Sequence, residues 1–92
     1  MNWKEKRKEL EKLGHLTVNW SEPGKYSAHV DVLQSHGGGL RSSTPRGEGG
    51  TGPQAISDLF RQMADPKILF EKYPGSSNTE FYRWDGQKFA PQ

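Results

Sequence analysis

Gly47, Gly49 and Gly52 spell G-x-G-x-x-G ahead of a helical pattern. That spacing can bring backbone N–H groups onto a pyrophosphate at a helix N-terminus. The surroundings of a dinucleotide site are missing. The preceding residues are polar, the chain is too short for a doubly wound sheet, and no Lys-Ser/Thr follows as a P-loop requires. Two readings stay open for the segment. It is a mobile loop, or Arg46 and the free N–H groups at Thr51 and Gly52 grip the phosphates of a nucleic-acid backbone.

The other groups able to do chemistry are few. His29 and Asp31 share one face of an extended segment and could touch one metal ion, but two ligands do not close a site. Solvated strand residues are the favoured reading. Ser42 and Ser43 have no nucleophile elbow around them, and no pair of carboxylates stands at an informative spacing. We therefore expect no enzyme, no metal and no cofactor. Arg41 and Arg46 have no acid partner at local spacing. Trp20, Tyr82 and Trp84 are large rings for a small core, so they pad it or anchor an interface.

The elements that would position these residues are legible in part. Asn2 and Glu5 form a capping box that opens a helix over Trp3–Leu13, with Trp3, Leu10 and Leu13 as its apolar stripe and Gly14 as its cap. Leu16, Val18 and Trp20 alternate with polar residues. So do Tyr26, Ala28, Val30 and Val32, after the turn Ser21-Glu22-Pro23-Gly24. Gln34–Gly39 reads as a loop, Leu40–Thr44 as a short third strand, and Pro45–Gly52 as a flexible glycine loop. Thr51, Gln54 and Pro53 start a second helix, with Ile56, Leu59, Phe60 and Met63 on its apolar face. Asp65-Pro66 stops it and caps a short helical turn at Ile68–Phe70. Phe81–Trp84 and Gln87–Phe89, joined by Asp85-Gly86, read as a tight hairpin. The expected fold is α+β in one domain, 1–92. A small antiparallel sheet is packed by two helices, in the order α-β-β-β-α followed by a C-terminal β-hairpin. Val18, Val30, Ile56, Leu59, Phe60 and Met63 lead the expected core.

Composition bounds the rest. The chain has 92 residues, 30% of them hydrophobic, with 11 glycines and 6 prolines, so much of it must be loop. Three Trp, three Tyr and four Phe are enough to anchor a core. There is no cysteine, which excludes disulfides and thiolate sites. No apolar run reaches the roughly 20 residues of a membrane span, and Met1–Lys12 lacks the apolar stretch of a signal peptide. A cytoplasmic protein is expected. Net charge is +2, which permits nucleic-acid contact without demanding it.

The α-β-β-β-α order resembles the double-stranded-RNA-binding fold, but the lysine cluster that grips phosphate in that family is absent from the start of the second helix. The two strands leading through a Thr-started helix resemble the antitoxin of the HicAB type. As a whole, the chain's size, its basic leading helix Trp3–Leu13 and the segment Gly47–Met63 resemble the phage-encoded anti-CRISPR proteins of the type I-F inhibitors, which share no common motif. That resemblance implies a stoichiometric inhibitor in the cytoplasm of an infected bacterium. It would dock on the Cas protein subunits of an RNA-guided surveillance complex, with the guide RNA backbone as a further contact, and block target DNA. The rival reading is a small nucleic-acid-binding regulator or antitoxin. The contact residues expected are Lys4, Arg7, Lys8, Arg41, Arg46, Thr51 and Trp84.

Overall fold

In a computed structural model describing residues 1–92, Asn2 caps α1 (Trp3–Leu13), its Oδ1 accepting from the N–H of Glu5 at 2.9 Å. Leu10 and Leu13 turn inward and are fully buried. At the far end Lys72 donates to the carbonyl of Lys12 at 3.1 Å, placing a cation where the helix leaves carbonyls free. Gly14 follows because the chain passes against another segment there. A Cβ at Gly14 would come within 2.2 Å of the carbonyl oxygen of Asp31.

Eight strands follow, all antiparallel, in two sheets. The first sheet holds β1 (Leu16–Glu22), β2 (Lys25–Val30) and β5 (Gly47–Gly49), in the order β1-β2-β5. The second holds β3 (Leu33–Gly37), β4 (Leu40–Ser43), β6 (Leu69–Lys72), β7 (Glu80–Trp84) and β8 (Phe89–Pro91), in the order β4-β3-β6-β7-β8. The α+β class and the order of helix, strands, helix and closing strands agree with the sequence. The sheet is larger than expected and divided.

One long hairpin joins the two sheets. β2 runs on into β3, and β4 into β5, so both arms cross from sheet to sheet at one corner. Ala28 faces Gly47 before the corner and Leu33 faces Ser43 after it, five steps on one arm against four on the other. That one-residue bulge lets a twisted ribbon turn sharply. Thr44 bridges the corner, its hydroxyl donating to the carbonyl of Val30 at 3.4 Å.

Several sequence readings are corrected here. Gln34–Gly39 is not all loop: β3 has partners on both sides, in β4 and β6, and ladder bonding outweighs its polar composition. Ile68–Phe70 is not a helical turn, because β6 pairs with both β3 and β7, and Phe70 is buried beneath the helices. The last turn spans Asp85–Lys88 rather than two residues. Asp85 Oδ1 accepts from the N–H groups of Gln87 and Lys88, both at 2.8 Å. Pro45–Gly52 is not a free loop, since β5 pairs with β2 and lies beneath α2 (Gly52–Met63).

The core is one cluster. Leu10 and Leu13 of α1 meet Ala55, Ile56, Leu59, Phe60 and Met63 of α2 over Ala28, Val30, Val32, Phe70 and Phe89. Val18 does not belong to it. It is 40% exposed, because α2 lies mainly over β2 and β5 and reaches only the margin of β1.

Two aspartates brace the loops. Asp58 accepts from the N–H of Glu48 and pairs with Arg61, and these bonds, that from Arg61 first, lower its pKa below the ordinary 3.8. The backbone bonds of Lys88 and Gln87 do the same for Asp85. A depressed carboxyl pKa adds stability that is complete above the unfolded value and is lost as pH falls through the folded one. Stability should therefore fall as pH drops below about 4. Asp58→Asn and Asp85→Asn should each flatten that slope in acid melts followed by circular dichroism.

Candidate interaction surface

Both helices lie on one side of the sheets, and the opposite side of the corner is open. A cleft of about 460 Å³ lies there, lined in part by His29, Asp31, Thr44, Arg46, Glu71 and Tyr73. The β2–β3 and β4–β5 arms supply the first four of these residues, and β6 with the residue after it supplies the other two.

Tyr73 is the unusual member. It is the one non-glycine residue with positive φ, at 56°, yet it precedes a proline and is 54% exposed. A bulky side chain in the left-handed region is strained, and a residue before proline prefers extended backbone. The following turn holds it in place. Thr79 donates its hydroxyl to the Tyr73 carbonyl at 2.8 Å, and Lys72 Nζ stands 5.2 Å from the ring centroid.

Glu71 is only 4% exposed, so it needs a partner. Arg41 reaches across β3 to supply one, with Nε and Nη2 both 2.9 Å from Glu71 Oε2. The bond to Glu71 raises the Arg41 pKa, keeping the guanidinium charged. Arg41 is thus not the unpaired arginine that its local spacing suggests, because its acid lies 30 residues away in sequence. Arg46 does lack an ion-pair partner. Its carbonyl accepts from Gln62 at 2.8 Å while its side chain lines the cleft. Away from Glu71 and the corner, the β3–β4 arm extends to a tip of three positive-φ glycines, Gly37, Gly38 and Gly39, followed by Leu40 at 68% exposure.

The remaining expected contact residues are dispersed. Lys4, Arg7 and Lys8 lie on the outer face of α1, where Arg7 is 3.4 Å from Glu11 and Lys4 sits 6.0 Å from the Trp3 ring centroid. The Thr51 hydroxyl accepts from the N–H of Gln54 at 3.3 Å as the cap of α2. Trp84 is half-buried, with its ring centroid 5.1 Å from those of both Phe60 and Phe89. Only Arg46 and, through Glu71, Arg41 meet at the cleft. Tyr73 and Glu71 were missed by the sequence reading, and Tyr73-Pro74-Gly75 was the one local signal of a tight, strained turn.

The glycine motif has a packing role. A Cβ at Gly47 would lie 2.2 Å from the Ala55 carbonyl oxygen, and one at Gly49 would lie 2.6 Å from Gln54 Cβ. The α2 backbone fills the space a pyrophosphate would need. His29 Nε2 is 4.0 Å from Asp31, His29 Nδ1 is buried without a hydrogen-bond partner, and no group of three ligating side chains converges. No helix is long and apolar enough to cross a membrane. Neither family models, curated proteins nor solved structures yield a match to this chain.

The two arginines should separate in a melting experiment. Arg41→Ala strands a buried carboxylate and should lower Tm by several degrees. Arg46→Ala removes an unpaired surface cation and should leave Tm within a degree of wild type. Equal melting temperatures for the two variants would contradict this assignment.

Proposed function

We propose that this chain is a non-enzymatic binding protein that docks on a larger assembly through the helix-free corner. Tyr73 serves as the apolar anchor and Arg46 as the polar contact. The observation that carries the reading is Tyr73, a strained aromatic held half out of the surface beside an unpaired guanidinium. Backbone strain of this kind costs on the order of 1–3 kcal/mol and concentrates at functional sites. Tyrosine and arginine are the residue types that dominate binding hot spots. The resemblance to type I-F inhibitors makes an RNA-guided surveillance complex the partner we propose, with its Cas subunits as the contacted surface.

The test is capture of the purified complex on the immobilised chain, alongside Tyr73→Gly and Arg46→Ala. Tyr73→Gly relieves the strained conformation, so it should fold at least as stably as wild type and bind at least tenfold more weakly, about 1.4 kcal/mol. Capture undiminished by both substitutions would move the contact surface elsewhere. No capture by wild type would remove the surveillance complex as partner. Binding to naked duplex that weakens steeply with salt would favour the nucleic-acid regulator instead.

A further inference from the structure

The outer edge of β1 is a second surface, separate from the corner cleft. β1 ends its sheet, so one side of its backbone has no strand beside it. Natural edge strands are commonly protected by lysine, proline, an inward charge, short length or a β-bulge, and β1 has only the last, near its C-terminal end. β1 runs for seven residues, Leu16-Thr17-Val18-Asn19-Trp20-Ser21-Glu22, regular over Leu16–Trp20 and bulged at Ser21, with Glu22 as its only charge, already paired with Lys25 at 2.8 Å. On its helix side Val18 and Trp20 stand 40% and 60% exposed, outside the core cluster. α2 ends its cover at this margin, where a Cβ on Gly52 would lie 3.7 Å from Val18 Cγ1.

The order of residues along this edge is self-complementary. Laid antiparallel on a copy of itself about Asn19, the strand sets Val18 opposite Trp20 of the second copy and Trp20 opposite its Val18. Asn19 then meets Asn19 on the other face, and the bulge at Ser21 lies outside this central run. Aromatic with β-branched is a favourable cross-strand pair. No charge lies between Leu16 and Ser21, and the two Glu22 carboxylates fall at opposite ends of the pairing, so no like charges meet. We propose that β1 is the dimerisation strand of this chain. Two copies pair through it about a two-fold axis at Asn19, giving a continuous six-stranded sheet. The patch is then covered from both sides, and because each copy uses the same edge the assembly closes at two.

The expected strength follows from the area. A Trp that is 60% exposed offers on the order of 150 Å² per copy. With Val18 and one strand edge, the total falls toward the low end of specific interfaces, below about 1,200 Å². The dimer should therefore exchange with monomer at roughly micromolar concentration.

Sedimentation equilibrium of the full chain across that concentration range should show monomer passing to dimer. The register has its own test, because the chain contains no cysteine. Residues directly opposite in an antiparallel pair lie about 4.5–5.5 Å apart at Cα, within disulfide reach. Asn19→Cys should form a disulfide-linked dimer under mild oxidation. Thr17→Cys, which in this register lies four positions along from the Thr17 of the second copy, should not. A complementary pair of doubles adds a further arm: Val18→Lys/Trp20→Lys and Val18→Glu/Trp20→Glu should each be monomeric and associate when mixed. The proposal is overturned if wild type stays monomeric, if both cysteine variants cross-link equally, or if either charged double still dimerises alone. Because the corner cleft is untouched by these changes, their outcome is independent of the surveillance-complex reading.

Discussion

Gly47→Ala should destabilise this chain by about 3 kcal/mol, the upper part of the usual range for overpacking. The methyl group would meet the Ala55 carbonyl oxygen at 2.2 Å, Leu59 N at 2.4 Å and Leu59 Cβ at 2.6 Å. Two of these three atoms are helix backbone, so no rotamer change relieves the contact. α2 would have to lift from β5, and in lifting it would loosen Leu59, one of the fully buried side chains. Gly49→Ala meets Gln54 Cβ and the Ala55 backbone and should follow the same course. Gly52→Ala supplies the contrast. A Cβ there finds only Val18 Cγ1 at an ordinary 3.7 Å, and alanine favours a first helical turn over glycine. Thermal melts should place Gly47→Ala roughly 10–20 °C below wild type and Gly52→Ala at or above it. A Gly47→Ala variant melting within a degree of wild type would mean that α2 does not sit on β5 as described. A phosphate-binding loop would show another pattern, since its glycines are needed for a ligand and not for the fold.

The glycine run illustrates where sequence and structure part. Alternation and capping identify α1, α2, β1 and β2 because their signals are local: Asn2 before Glu5, Thr51 before Gln54, and Leu59 and Phe60 three and four residues after Ile56. β5 has no such signal. Gly47-Glu48-Gly49 has poor strand propensity and becomes a strand because β2 bonds it on one side and α2 needs a surface without side chains. β3 and β6 are strands for a related reason, since each is paired along both edges. Glu71 could not be found as a buried acid from spacing, because its partner Arg41 lies across β3 on a separate strand. Tyr73 is legible only as a residue before Pro-Gly. Its strain comes from the bonds that Thr79 and Ser76 make to its carbonyl.

The second large effect is expected at the closing strand β8, within the same core cluster. Phe89 is buried and its ring lies edge-on to three others, with centroids 5.1 Å from Trp84, 5.7 Å from Phe70 and 6.0 Å from Phe60. It joins three layers at once: the closing strand β8, the inner face of β6 and the apolar face of α2. Its backbone N–H also donates to Glu9 Oε1 at 2.9 Å, which fastens β8 to α1. Phe89→Ala retains that backbone bond and removes the ring. It should therefore cost about 3–5 kcal/mol, the range for emptying a large aromatic site that can only partly collapse. Phe89→Leu fills most of the volume and should recover more than half of the loss. Denaturant unfolding should show the effect as a lower midpoint. The fluorescence of Trp84 reports locally, because that ring loses its edge contact. A loss below about 1 kcal/mol would mean that β8 lies on the core without closing it. The cleft at Tyr73 and Arg46 is built by other residues. A Phe89→Leu variant should therefore bind its partner at full strength once corrected for the folded fraction, and a specific loss of affinity in that variant would place part of the binding surface on the C-terminal hairpin.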